Sequence, residues 1–184
     1  AVETLRLGDH PNLLWVRVHT DTGLSGLGET YFGASASEAD VHDRIAPIIL
    51  GQDARRIEFL NMKMQPYTGF TGSGAEVRAL SAVDVALWDI AGKAANMPLC
   101  DVLGGRTREA IQVYQTCAGP NYVPKTSAVR PDNFGTASGS KADDTYEDLE
   151  AFLHHPEELA ASLMEMGIFS MKIWPFDLAE GAVD

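Results

Sequence analysis

The sequence predicts a small α+β domain followed by the opening of a β/α barrel that it lacks the residues to complete. Three observations carry that reading. The first thirty residues alternate apolar and polar side chains as short strands do, and helical periodicity then dominates up to Gly105. After Gly105 the order becomes strand, loop, helix, strand, which is one βαβ unit. A full β/α barrel takes about 250 residues, roughly three times the stretch of chain left after Gly105.

Ala1–Leu7, Asn12–Thr20 and Gly26–Thr30 read as three strands. In the second, Leu14, Val16 and Val18 alternate with Trp15, Arg17 and His19, so one face is apolar and His19 belongs to the solvated one. Asp21-Thr22-Gly23 is a turn signal that makes an antiparallel hairpin of the second and third strands. Gly8-Asp9-His10-Pro11 turns between the first two, giving a short meander. Ser35 and Glu38 have capping-box spacing ahead of a helix over Ala39–Leu50. Arg55–Gln65 forms the next helix, with Ile57, Phe59, Leu60 and Met64 as its apolar members. Pro66–Gly74 is an aromatic-bearing, glycine-rich loop. Ala75–Ala95 then carries apolar residues at 79, 80, 83, 86, 87 and 90, the strongest helical period in the chain. A short turn over Pro98–Leu103 ends at Gly104-Gly105.

Beyond that point Ile111–Thr116 is a compact strand. Gly119 to about Asp144 is rich in Pro, Gly, Ser, Asn and Asp without a period, which suits either a functional loop or partial disorder. Pro156 stands where an N1 proline belongs, with Glu157 and Glu158 in the first turn, and Gly167 stops that helix. Ser170–Trp174 is the closing strand. The predicted domains are therefore residues 1–105 and 106–184.

Composition narrows the class of function. The 184 residues are 45% hydrophobic and 22% charged, as in ordinary soluble globular proteins. No apolar run approaches the ~20 residues of a membrane helix, and no signal peptide opens the chain. A net charge of −12 argues against a nucleic-acid partner, although a few cations can still govern one pocket for an anion. Cys100 and Cys117 make neither a disulfide framework nor a metal spacing, so a reduced cytoplasmic setting is expected.

The run Ala79-Leu80-Ser81-Ala82-Val83-Asp84-Val85-Ala86-Leu87-Trp88-Asp89-Ile90-Ala91-Gly92-Lys93, continued by Pro98-Leu99 and Leu103-Gly104-Gly105, resembles the signature of the mandelate racemase/muconate lactonizing group of the enolase superfamily. Val102 departs from the usual Leu. Residues 12–30, ending in Gly26-Leu27-Gly28-Glu29-Thr30, also resemble the amino-terminal capping domain of that group. The resemblance implies an α+β capping domain, a three-stranded antiparallel meander plus helices, followed by the start of a modified (β/α) barrel. It also implies Mg²⁺ held by carboxylates on the third, fourth and fifth barrel strands, none of which is in this chain, so no metal ligand is assigned. The implied chemistry is abstraction of the proton α to the carboxylate of a small substrate, with the developing oxyanion stabilised electrophilically. Homo-oligomers are common in that group.

Lys172 is the leading catalytic candidate. Ser170, Lys172 and Trp174 share one face of the last strand, near the end where barrels carry their sites, while Met171 and Ile173 face the other way. A lysine there either contacts a substrate carboxylate or pairs with a structural carboxylate. The family often has a second lysine two residues on, the usual base, and Trp174 takes its place. That substitution disfavours two-base racemisation and favours one-base dehydration. Trp174 is a candidate substrate contact, suited to shaping the pocket or stacking on a sugar-like chain, with core packing or a pocket wall as the alternative. Tyr31 and Phe32 after the third strand, Tyr67 and Phe70 in the Pro66–Gly74 loop, and Thr116 and Cys117 at the end of the first barrel strand are candidate substrate contacts, with packing as the alternative for each. Cys117 lacks a basic neighbour for nucleophilic work. Asp84 and Asp89 suit interdomain or intrahelix polar contacts better than catalysis, and His154-His155 suits surface or capping use. The parent enzyme reads as a lyase, an acid-sugar or hydroxy-acid dehydratase. A racemase or epimerase, or a catalytically inactive fragment or interaction module, are the alternatives.

Overall fold

The structure, a computed structural model, describes residues 1–8, 10–66, 74–117 and 148–173. These divide at Thr107/Arg108 into two compact units.

The first unit opens with strands β1 (Val2–Leu7), β2 (His10–His19) and β3 (Ser25–Tyr31), an antiparallel sheet in that order. The β2–β3 hairpin forms as its turn chemistry predicts, with Gly23 at φ 85°. The β1–β2 connection is tighter than expected: Leu7 already pairs with His10, so His10 and Pro11 belong to β2. Leu14, Val16 and Val18 are buried in the alternation read from the sequence. His19 is not simply solvated. Its Nε2 lies 2.8 Å from a Glu3 carboxylate oxygen, and that hydrogen bond holds the Glu3 carboxyl below its usual range.

Helix α1 (Ala34–Asp40), a π turn over Val41–Ile45 and α2 (Ala46–Ile49) follow without a break. The capping box does not form. The helix starts before Ser35, from Gly33 in the left-handed region, and Glu38 turns instead to β1. There it accepts from Thr4 Oγ1 at 2.9 Å and pairs with Arg6 Nε at 2.9 Å. A cation and a hydroxyl from another element outcompete a local backbone N–H, and no local pattern can reveal them. Helices α3 (Ile57–Met64) and α5 (Leu99–Val102) are short, and the latter stands where only a turn was expected.

Helix α4 (Ala75–Ala95) runs over the residues its period marks, and all six predicted apolar positions are buried. It lies close against β3. A Cβ at Gly28 would sit 1.8 Å from the Ala82 carbonyl oxygen, and one at Gly26 would sit 1.9 Å from that of Ala86. Only glycine admits a helix backbone so near a strand. The register is then locked by Asp89, which accepts from the Leu27 N–H at 2.8 Å and pairs with Lys93. Asp84 accepts from Asn61 Nδ2 at 2.9 Å, tying α4 to α3. Both aspartates are structural, as their helix setting suggests.

The second unit is sparser. The predicted strand over 111–116 reduces to one parallel bridge, Gln115 with Met171. Gln115 N donates to Ser170 O at 3.0 Å and Lys172 N donates to Gln115 O at 2.8 Å. Ile111 to Tyr114 are exposed. Parallel pairing is weak per residue and normally needs neighbours on both sides; among the described residues each segment has one. Helix α6 (Asp148–His154) was not anticipated, whereas α7 (Pro156–Glu165) has its proline at the predicted start and Gly167 at φ 80° beyond its end. Cys117, Ala151, Leu159 and Leu163 form the core of this unit, with Met171 packed on it. The expected long loop over 119–144 lies outside the described residues. Among those residues no helix is long and apolar enough to cross a membrane.

Candidate functional site

The candidate residues gather in two places. One is in the second unit, where the Gln115–Met171 bridge sets two short segments side by side. Along them Arg108, Gln112, Tyr114, Ser170 and Lys172 border an open groove of about 650 Å³. Ser170 and Lys172 reach it together because residues two apart on an extended chain leave by the same side. The groove is rich in donors: a guanidinium, an ammonium and two hydroxyls. Two of its lining side chains, Arg108 and Lys172, are cations.

Thr116 is half-buried, and its backbone N–H donates to the Gln115 side-chain oxygen at 2.9 Å. Cys117 is fully buried in the apolar core of the unit, at φ 58°, with its thiol directed at the Gln115 carbonyl 3.8 Å away. Trp174, Tyr67 and Phe70 lie outside the described residues. Arg108 and Tyr114 were missed by sequence reasoning. Tyr114 shares a face with Gln112 and Thr116 by the period of two, a signal that was readable; Arg108 precedes that run and gives none.

The other place is the end of β3 in the first unit. Tyr31 and Phe32 are half-buried, with ring centroids 4.2 Å apart in an edge-to-face arrangement. Phe32 adopts φ 66° and Gly33 φ 61°, so the chain turns through two left-handed residues into α1. The Phe32 N–H donates to Asn12 O at 3.0 Å. Arg78, from the first turns of α4, donates to the Tyr31 carbonyl, and its guanidinium lies 5.8 Å from the centre of the Phe32 ring. Burial raises the Tyr31 phenol above its ordinary value. Arg78 is another residue that sequence reasoning passed over, because its partner Tyr31 lies 47 positions away.

Members of the enolase superfamily are generally Mg²⁺-dependent. Among the described residues no three His, Cys, Asp or Glu side chains converge on a metal-sized space. These described residues do not make a site for the ion.

Residues 7–104 match the family described as mandelate racemase / muconate lactonizing enzyme, N-terminal domain. The chain is 37% identical over 120 residues to a D-mannonate dehydratase of Novosphingobium aromaticivorans, covering 64% of this chain and 30% of that protein. It is 35% identical over 111 residues to a D-galactonate dehydratase of Variovorax paradoxus, covering 59% and 29%. Among solved structures, an enolase of the mandelate racemase subgroup from Agrobacterium tumefaciens is 42% identical, with a TM-score of 0.74, over 99% of this chain and 40% of that one. The chain thus spans about 30% of the length of the curated relatives it matches. The three-stranded sheet, the signature helix packed on its glycines and the match over residues 7–104 agree: the chain belongs to the mandelate racemase/muconate lactonizing enzyme family of the enolase superfamily.

Proposed function

We propose that these residues are the capping domain and first barrel strands of a cytoplasmic, homo-oligomeric, Mg²⁺-dependent acid-sugar dehydratase. The single observation that carries the reading is the 37% identity to a D-mannonate dehydratase across 120 residues. The donor-rich groove around Lys172 supports it independently, because an aldonate offers one carboxylate and a run of hydroxyls.

In such a dehydration the bond from C2 to its hydrogen breaks and its electron pair forms a C2–C3 double bond. The C3 hydroxyl leaves with a proton as water, and the resulting enol tautomerises to a 2-oxo acid. Lys172 binds the substrate carboxylate, and its positive charge offsets the negative charge that grows there as the C2 proton departs. Ser170 and Tyr114 donate to substrate hydroxyls. The base and the ligands to Mg²⁺ belong to strands other than those described.

The test is turnover of six-carbon aldonates by the full-length enzyme, read as 2-oxo acid formed. Lys172→Met is expected to lower kcat/KM by about 10²–10³-fold. Exchange of the C2 proton with solvent without loss of water would replace the dehydratase reading by an epimerase. Retention of activity by the lysine variant within threefold would remove Lys172 from the reaction.

A further inference from the structure

Strand β1 is held unevenly along its length. From Val2 to Leu5 it pairs residue by residue with Val18 to Trp15, but the register shifts between Leu5 and Leu7, and the next pair is Leu7 with His10. The ladder is thus interrupted at Arg6. Side chains take over there. Val2, Thr4 and Arg6 leave β1 on one side by the period of two, and Val2 packs on the helical core. The other two meet α1 and the π turn. Arg6 Nε lies 2.9 Å from Glu38 Oε2, and Thr4 Oγ1 donates to Glu38 Oε1 at 2.9 Å. The same hydroxyl lies 2.8 Å from His42 Nε2. Glu38 and His42 are four residues apart, about one helical turn, so a single threonine can reach both.

Proton counting fixes the direction of the last contact. A hydroxyl has one hydrogen to give. The Glu38 carboxylate, paired with a guanidinium, can only accept, so it takes the Thr4 hydrogen. Thr4 Oγ1 must then accept from His42, and Nε2 must carry a hydrogen. We infer that Arg6, Glu38, Thr4 and His42 form a directional latch that fastens the interrupted half of β1 to the helices and holds neutral His42 as its Nε2–H tautomer. The latch lies wholly within the first unit, and it does not rest on the dehydratase reading.

The experiment uses the full-length enzyme and two readouts. The first is amide exchange along β1. Thr4→Val, which keeps the shape and the strand preference, is expected to speed exchange from Leu5 to Leu7 about tenfold and that of Val2 and Glu3 less than threefold. Thr4→Ser keeps the hydroxyl and should restore the wild-type rates. The second readout is the ring ¹⁵N spectrum of histidine-labelled protein, with His42 assigned by His42→Gln. It is taken at about pH 8.5, two units above the ordinary histidine value of about 6.5. Wild-type His42 should show Nε2 protonated and Nδ1 bare, and Thr4→Val should let the Nδ1–H form appear. His42→Leu guards against misfolding of the threonine variant. It leaves Thr4 on Glu38, so it should speed exchange from Leu5 to Leu7 by a smaller factor than Thr4→Val. Equal acceleration in both halves of β1 would mean that Thr4 supports the whole strand, and the latch falls. It falls equally if neither variant changes exchange, or if neutral His42 carries its hydrogen on Nδ1 in the wild type. A tautomer ratio that Thr4→Val leaves unchanged also overturns it.

Discussion

The two units stabilise themselves by different means. In the first, one 21-residue helix lies on a three-stranded sheet at glycine distance, and a continuous core runs from Leu14 to Ile90. In the second, among the described residues, a single bridge and four buried residues hold two short helices, while Ile111 and Phe169 stand 78% and 74% exposed. The contrast separates the architecture from the proposed chemistry. The unit that packs best carries the recognisable signature and the two aromatic rings at the end of β3, whereas the unit with the sparse core carries Lys172. A signature helix can identify a family strongly and contribute nothing to proton transfer, because its residues are selected for packing.

The contrast would break most sharply at Gly28. Gly28→Val places a branched side chain where even a Cβ would lie 1.8 Å from the Ala82 carbonyl oxygen, so helix and strand must part. Overpacking of this kind costs about 3 kcal/mol or more, expected as a loss of the cooperative urea transition followed by circular dichroism. Gly23→Ala is the matched control. Nothing lies within 4 Å of its Cβ, and only the φ of 85° penalises it, so about 1 kcal/mol is expected.

A pair of cavity variants sharpens the comparison next. Leu87 is enclosed on α4 and Leu163 on α7, at 1% and 2% exposure. Truncation of a buried leucine to alanine costs about 2–5 kcal/mol, depending on how closely the surroundings hold the cavity open. Leu87→Ala belongs at the upper end, inside a dense core. Leu163→Ala belongs at the lower end, where among the described residues Cys117, Ala151 and Leu159 are buried beside it. Amide exchange in α4 and in α7, each read against its own variant, ranks the two; equal losses would contradict the ranking.

The same asymmetry decides what was legible in the sequence. The β2 alternation and the α4 period were plain because burial there follows the local repeat, and Leu14, Val16, Val18 and the α4 stripe obey it. The start of α1 was misread because Ser35 and Glu38 fit a local motif while Glu38 is claimed by Arg6 and Thr4 on β1. The strand over 111–116 was overread, since its composition is strand-like but pairing depends on neighbours that no local pattern supplies. At the candidate site, the shared side of Ser170 and Lys172 was legible from the period of two, and the position of Tyr31 and Phe32 at the end of a strand from the alternation before them. Arg78 was not, because its value lies in two contacts made far along the chain.

Arg44 tests how far polar ties add to the packing of the first unit. Rising from the π turn, it chelates Asp40 at 2.8 and 2.6 Å and donates to Met64 O at 2.5 Å and Glu76 O at 3.2 Å. One side chain thereby joins three helices. Arg44→Met keeps the stem but strands Asp40 and two carbonyls, with an expected cost of about 2 kcal/mol, read from the urea midpoint. Asp40→Asn together with Arg44→Met should recover part of it, because the abandoned charge is then gone.

The smallest effect expected is a pH dependence at the β3–α4 contact. Burial pushes the Asp89 carboxyl up, yet the Lys93 hydrogen bond and the Leu27 N–H together hold it below its usual value of 3.8. A carboxyl whose folded value is depressed binds protons less readily than in the unfolded chain, so it stabilises the fold above that usual value and loses the contribution as pH falls through the folded one. Lys93 is about half exposed, at 48%, and solvent screens the pair, which limits the effect to below about 1 kcal/mol. Asp89→Asn should therefore flatten the fall of the urea midpoint below pH 4 and shift it slightly downward at neutral pH. Because the amide oxygen of that variant would still accept from the Leu27 N–H, the register of β3 on α4 should survive the change. Loss of that register would mean the charge, and not the Gly26 and Gly28 approach, fixes where strand meets helix.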